Sequence, residues 1–332
     1  MLGLLALGAL AVVLAFVLAG GEAGRTNAVV STGRRTSGSH RTAAPPSAFA
    51  VGLLTLRLVD TTRTIALPDG TTVPRTLVTY VRYPALGAPS GTDVPGAAPA
   101  RADGPFPLIV FGHGFDKAPA LYAPLLQAWA RAGYVVAAPA FPLESPEAPG
   151  GPNESDLTNQ PGDVRFVISR LLAAAGASSG TLAGLIDPAH IAVAGHSDGG
   201  DTALAVAYDP AHRDPRVDAA VILSGAEIPG AEGFAFPPGG PPLLATQGTA
   251  DTVNLPSATA AYFGAAPPPK YLLTLLGAEH VQPYSQPGPQ LRTVERVSLA
   301  FLDGYLKHRA GALGQLPALG YVPGVATLTA DP

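Results

Sequence analysis

A chain of 332 residues can bury a large core, but with 13% charged residues and a net charge of −4 it offers no basic surface for nucleic acid. It contains no cysteine, which excludes disulfides, a thiol nucleophile and thiolate metal ligands together. Residues 2–20 carry no charge and are mostly Leu, Ala, Val, Phe and Gly. So long an apolar run reads as a signal peptide or membrane anchor occupying residues 1–21. No Lys or Arg precedes it, whereas Arg25, Arg34 and Arg35 follow, which the positive-inside rule would place in the cytoplasm. Residues 22–48, rich in Gly, Ser, Thr, Ala, Arg and Pro, read as a disordered linker. A folded domain is expected over 49–332, exported, and either secreted or attached to a membrane through the N-terminal segment.

Two strands are predicted at Phe49–Val59 and Thr76–Tyr83, on either side of the turn signal Pro68-Asp69-Gly70. Residues 84–105, rich in Pro, Gly and Ala, read as a surface loop. The continuous apolar run Pro107–Phe111 predicts a strand buried on both faces, ending in Gly112-His113-Gly114-Phe115. A helix over Leu121–Ala132, a strand over Tyr134–Ala138 and a helix over Gly162–Ala175 follow, the last opened by Pro161. A strand through Ile191-Ala192-Val193-Ala194 then runs into Gly195-His196-Ser197-Asp198-Gly199, and Thr202–Ala207 suits a buried helix. Strands at Val217–Leu223, Leu243–Thr246 and Tyr271–Leu276, with helices at Ser257–Phe263 and Gln290–His308, complete the pattern. Such alternation implies an α/β fold with a mostly parallel central sheet and helices on both faces.

Gly195-His196-Ser197-Asp198-Gly199 is a G-x-S-x-G sequence between an apolar strand and a helix. In that context the turn lifts the serine hydroxyl above the sheet edge, where a base can reach it. A serine needs such a base, and the base needs a third group to orient it. Asp251 follows the Leu243–Thr246 strand and His280 follows the Tyr271–Leu276 strand, so both are expected at the edge where Ser197 emerges. Glu227 and Glu279 are the competing acids. Of the seven histidines, His280 alone lies beyond the acid and at a strand end. The catalytic set is therefore Ser197, Asp251 and His280, with the backbone amides of Phe115 and Asp198 as the oxyanion hole. His113, His196, Phe234, Phe236 and Tyr284 are candidates for the substrate-binding wall. Asp201 reads as an exposed helix position.

The segments Val110–Phe115, Asp163–Ile168, Gly195–Gly200, Gly248–Asp251 and Gly277–His280 carry a resemblance. On them the chain, from about Phe49 onward, is similar to α/β-hydrolase superfamily serine esterases. It resembles the lidless bacterial chlorophyllase and platelet-activating-factor acetylhydrolase-like proteins, and the polyester-cleaving cutinases. The resemblance implies an α/β-hydrolase fold, a serine nucleophile, no metal and no organic cofactor. Actinobacterial polyester hydrolases place Met after the nucleophile and Tyr in the oxyanion loop, where this chain has Asp198 and Phe115. Ala226–Pro242, short and rich in Gly and Pro, cannot build a large cap domain, so an open site is expected. The expected activity is carboxylester hydrolysis of short to medium or surface-presented esters, small-molecule or polymeric, by a monomer. A polyester hydrolase, a peptidase or amidase, and a non-catalytic hydrolase-like binding protein are the alternatives.

Overall fold

The computed structural model describes residues 48–228 and 235–332. The anchor expected at 1–21, the linker expected at 22–48 up to residue 47, and the candidate wall residue Phe234 lie outside these described residues. The described chain opens with strands β1 (Ala50–Ala66) and β2 (Thr72–Ala85), an antiparallel hairpin. β1 runs well past the predicted Val59 because a bulge between Asp60 and Thr64 lets pairing resume beyond it. The predicted loop 84–105 contains a short strand, β3 (Val94–Pro95), lying parallel to β1.

From β4 (Phe106–Gly112) the chain alternates: α1 (Ala123–Arg131), β5 (Val135–Ala140), α2 (Gln160–Ala175), β6 (Ile186–His196), α3 (Asp198–Tyr208) and β7 (Ala219–Leu223). β8 (Leu243–Gly248), α4 (Pro256–Ala265), β9 (Lys270–Leu275), the single turn α5 (Gln282–Ser285) and α6 (Pro289–Tyr305) follow. α7 (Leu316–Gly320) and β10 (Ala326–Asp331) end the chain. The sheet has ten strands in the order β10-β9-β8-β7-β6-β4-β5-β2-β1-β3. Pairing is parallel from β5 through β9 and antiparallel at β1–β2, β2–β5 and β9–β10. The mostly parallel sheet with helices on both faces is thus as expected. β10 was not anticipated: of its residues only Ala326 is buried, so it joins the edge through backbone pairing rather than an apolar pattern.

Strand periodicity splits the core into two. Leu108 and Val110 of β4 face a cluster with Val167, Ile168 and Leu171 of α2 and Leu204 of α3. Ile109 and Phe111 face another with Leu126 and Trp129 of α1 and Val297 and Phe301 of α6. Because β4 is buried on both sides, it reads as an unbroken apolar run. β5 pairs with one side of β4 and β6 with the other. The winding therefore reverses there, and the crevice at such a reversal is where open α/β sheets hold ligands. No helix occurs among the described residues between β7 and β8. Nor is any helix of the described residues long and apolar enough to cross a membrane.

Candidate active site

The turn from β6 into α3 holds Ser197 at φ 54°, ψ −127°, a conformation that side chains rarely adopt. Two glycines make room for it. A Cβ on Gly195 would stand 1.9 Å from the Gly199 carbonyl oxygen, and one on Gly199 would stand 2.2 Å from the Gly112 carbonyl carbon. The Ser197 amide donates to the Leu223 carbonyl of β7, tying the turn to the neighbouring strand.

The loops after β8 and β9 bring two groups to this turn. His280 Nε2 lies 2.9 Å from Ser197 Oγ, and His280 Nδ1 lies 2.7 Å from Asp251 Oδ2. The carboxylate accepts the Nδ1 proton, which leaves Nε2 free to accept from the serine hydroxyl. Asp251 is itself fixed: Oδ1 accepts the amides of Val253 and Asn254 at 2.9 and 3.1 Å, and Oδ2 accepts Gln247 Nε2 at 3.3 Å. The competing acids, Glu227 and Glu279, are exposed, and Glu279 instead takes Gln282.

His196 supports this arrangement from behind. Its Nε2–H donates to the His280 carbonyl at 2.8 Å, so its Nδ1 accepts from the Tyr122 hydroxyl, also at 2.8 Å. Tyr122 in turn accepts the Gly114 amide at 3.3 Å. One chain of hydrogen bonds thus links the loop after β4, the serine turn and the His280 loop. Burial, with the nearby His280 charge, pushes the His196 pKa down to about 3, which keeps the ring neutral and its tautomer fixed. Tyr122 escaped sequence reading because its partner is 74 residues away.

The pocket at Ser197 has a volume of about 300 Å³ and is bordered by Phe115, Lys117, Glu154, Asp198, Val253 and Asn254, with His196 and His280. Val253 is 65% exposed at its rim, so the site is open. Asp198 is the first residue of α3, where a backbone N–H has no intrahelical acceptor. Its carboxylate is nearly buried, with Oδ2 unpartnered. Burial, with repulsion from Glu154, pushes its pKa up to about 6. Deeper lies Glu144, fully buried with neither carboxyl oxygen hydrogen-bonded. Burial and the Asp198 charge push it up to about 8, so it is largely a neutral acid at pH 7.

Several candidate wall residues fall elsewhere. His113 is wholly buried: its Nε2 accepts the Phe141 amide at 2.9 Å and its Nδ1 bonds the Gly114 carbonyl, so it shapes the loop without reaching the pocket. Burial pushes its pKa down to about 4. Tyr284 is also wholly buried, its hydroxyl bonded to Ser224 and Thr246 and its ring against His196, where substrate cannot touch it. Phe236, half-buried, packs against Tyr208 at the end of α3. Asp201 is buried rather than exposed, because its carboxylate accepts the Ala226 amide at 2.6 Å and straps the segment after β7 to α3. Among the described residues, no group of three or more His, Asp or Glu is arranged to hold a metal ion.

Comparison with known proteins bears on the fold and family. A family model described as Chlorophyllase matches residues 94–225, which span the loop after β4 and the serine turn. No curated protein matches the chain. Among solved structures, the ferulic acid esterase from Streptomyces cinnamoneus is similar at 26% identity, covering 80% of this chain and 93% of that one with a TM-score of 0.57. On its sheet and these two matches, the chain is an α/β-hydrolase of the carboxylic ester hydrolase kind.

Proposed function

We propose that the protein is an exported serine carboxylester hydrolase acting through an acyl-enzyme. The observation that carries this reading is the position of His280, within hydrogen-bond reach of both Ser197 Oγ and a buried Asp251. Ser197 Oγ attacks the ester carbonyl while His280 Nε2 takes its proton, and Asp251 stabilises the imidazolium that forms. The resulting oxyanion is held by the amides of Phe115 and Asp198, each such donor typically worth about 2.7–4 kcal/mol of barrier. Collapse breaks the bond to the alcohol oxygen, which leaves with the proton from His280. Water, deprotonated by His280, then releases the acid and restores Ser197. The open pocket favours short to medium or surface-presented esters, and the uncharged run at residues 2–20 supports export, whether cleaved or kept as an anchor.

The test is hydrolysis of p-nitrophenyl acetate, butyrate, octanoate and palmitate, and of ethyl ferulate, by the full chain and by Ser197→Ala. Ferulate esters belong in the panel because of the esterase neighbour. The variant should lose turnover on the order of 10⁴–10⁶-fold, and a fluorophosphonate probe should label Ser197 in the wild type alone. Turnover retained by Ser197→Ala sinks the reading.

A further inference from the structure

Asp251 is held by more than its own loop. Its Oδ1 accepts the amides of Val253 and Asn254, and its Oδ2 accepts the His280 Nδ1 proton. An ionised carboxylate has room for one more donor, on Oδ2. The side chain of Gln247, near the end of β8, takes that place, with Nε2 3.3 Å from Asp251 Oδ2. Gln247 is 4% exposed and Asp251 2%, so the contact lies where solvent screens it little.

An amide can be turned end for end, but here both ends are specified. Nε2 also faces the carbonyl oxygens of Gly248 and Asn254, each at 3.1 Å. Oε1 accepts the hydroxyl of Thr259, a buried residue of α4, at 2.7 Å. Turning the amide would set its oxygen against three other oxygens, one of them a carboxylate. Two N–H groups serve these three acceptors, and the positive end of the amide dipole therefore points at Asp251. A neutral donor suits the position. A cation there would hold Asp251 in an ion pair and weaken its hold on the imidazolium, whereas a second carboxylate would repel it.

We propose that Gln247 is a positioning residue for the triad, with Thr259 fixing its amide. By donating to Oδ2 it keeps Asp251 ionised and aimed at His280 Nδ1, so that the carboxylate orients the imidazole without taking its proton. The inference rests on the serine-hydrolase reading above.

The experiment combines kcat and KM for p-nitrophenyl butyrate over about pH 5–9 with NMR titration of the His280 ring in the 15N-histidine-labelled full chain. Gln247→Leu removes the donor. Asp251 then becomes the stronger acceptor and holds the His280 proton to higher pH. The acid limb of kcat/KM and the ring titration should move up together, by at least about 0.5 pH unit, with kcat down about tenfold. KM should not change, because neither Gln247 nor Thr259 borders the Ser197 pocket. Gln247→Glu keeps the shape but donates only while protonated, so its kcat relative to wild type should fall as pH rises. Thr259→Val should shift the titration in the same direction as Gln247→Leu, and Thr259→Ser, which keeps the hydroxyl, should restore it. The other titratable groups around His280, namely His196, Asp198, Glu154 and Lys117, are the same in every variant. Thermal melting checks each fold, and the Gln247→Glu and Thr259 variants decide the matter if Gln247→Leu does not fold. An unmoved titration in Gln247→Leu, or Gln247→Glu tracking the wild type at every pH, overturns the proposal. A wild type that turns over no ester sinks the hydrolase reading instead, while the ring titration, which needs no turnover, still decides the role of Gln247.

Discussion

Two pairs of buried acids, Asp156 with Asp163 and Glu144 with Asp198, are treated oppositely. Asp156 and Asp163 are paired: Arg75 Nε and Nη2 reach Asp163 at 2.7 and 2.6 Å, and Nη1 and Nη2 reach Asp156 at 2.9 and 2.5 Å. Burial works against the Arg75 charge, but the hydrogen bonds and charges of the two carboxylates outweigh it and push its pKa further up. This cluster pins β2 to α2 and to the turn before it. Glu144 and Asp198, by contrast, have no cation, and burial drives them toward their neutral forms. Pairing marks the charges that hold the fold, whereas Asp198, with one carboxyl oxygen unpartnered, borders the nucleophile's pocket, where perturbed ionisation is characteristic of reacting sites.

The contrast can be broken by substitution. Arg75→Met should have the largest effect on stability: two buried carboxylates would lose their shared cation, Asp163 keeping only Arg63 and Asp156 only the Asn159 amide, at a cost of about 3–5 kcal/mol. Denaturant unfolding would measure it, with turnover of the folded fraction unchanged. A loss below about 1 kcal/mol would show the cluster to be dispensable.

Glu144→Gln should act in the opposite direction. The folded state binds the Glu144 proton more tightly than the unfolded chain, so the stability this confers is complete below about pH 4.5 and is lost as pH rises through about 8. The slope is at most about 1.4 kcal/mol per pH unit. The variant should lack this fall and be the more stable protein at pH 8. Parallel stability profiles for the two proteins would contradict the assignment.

Asp198→Asn should produce the smallest change. Its pKa of about 6 predicts the same sign of pH dependence between about 3.8 and 6, over a shorter range and therefore by less. Because Asp198 borders the pocket with Ser197, the variant should also lose an inflection near pH 6 from the kcat/KM profile. An unchanged profile would remove Asp198 from the electrostatics of the site.

Much of this arrangement is legible in the amino-acid sequence, because it rests on local rules. A strand buried on both faces must be continuously apolar, as Pro107–Phe111 is, and a cramped turn must carry glycine, as Gly195 and Gly199 do. Ser197, Asp251 and His280 stand out because each follows a strand, and parallel strands deliver their carboxyl ends to one edge. Contacts between distant segments leave no such local trace. The pairing of Arg75 with Asp163 spans 88 residues and that of His196 with Tyr122 spans 74. Neither has a spacing that sequence periodicity can register. Burial took Tyr284 and His113 away from the pocket wall, and packing against Tyr208 took Phe236, since an aromatic or imidazole ring looks the same in sequence whether it meets substrate or core.

The sequence by itself therefore determined the order of strands and helices from β4 to β9, the glycine-bounded serine turn and the types of residue at the strand ends. Those features follow from side-chain periodicity and backbone sterics, which act within a few residues. Only the tertiary structure decided which acid meets His280, which carboxyls go unpaired, and that Tyr122 braces His196. Each of these depends on the distance and burial that folding imposes on groups far apart in the chain.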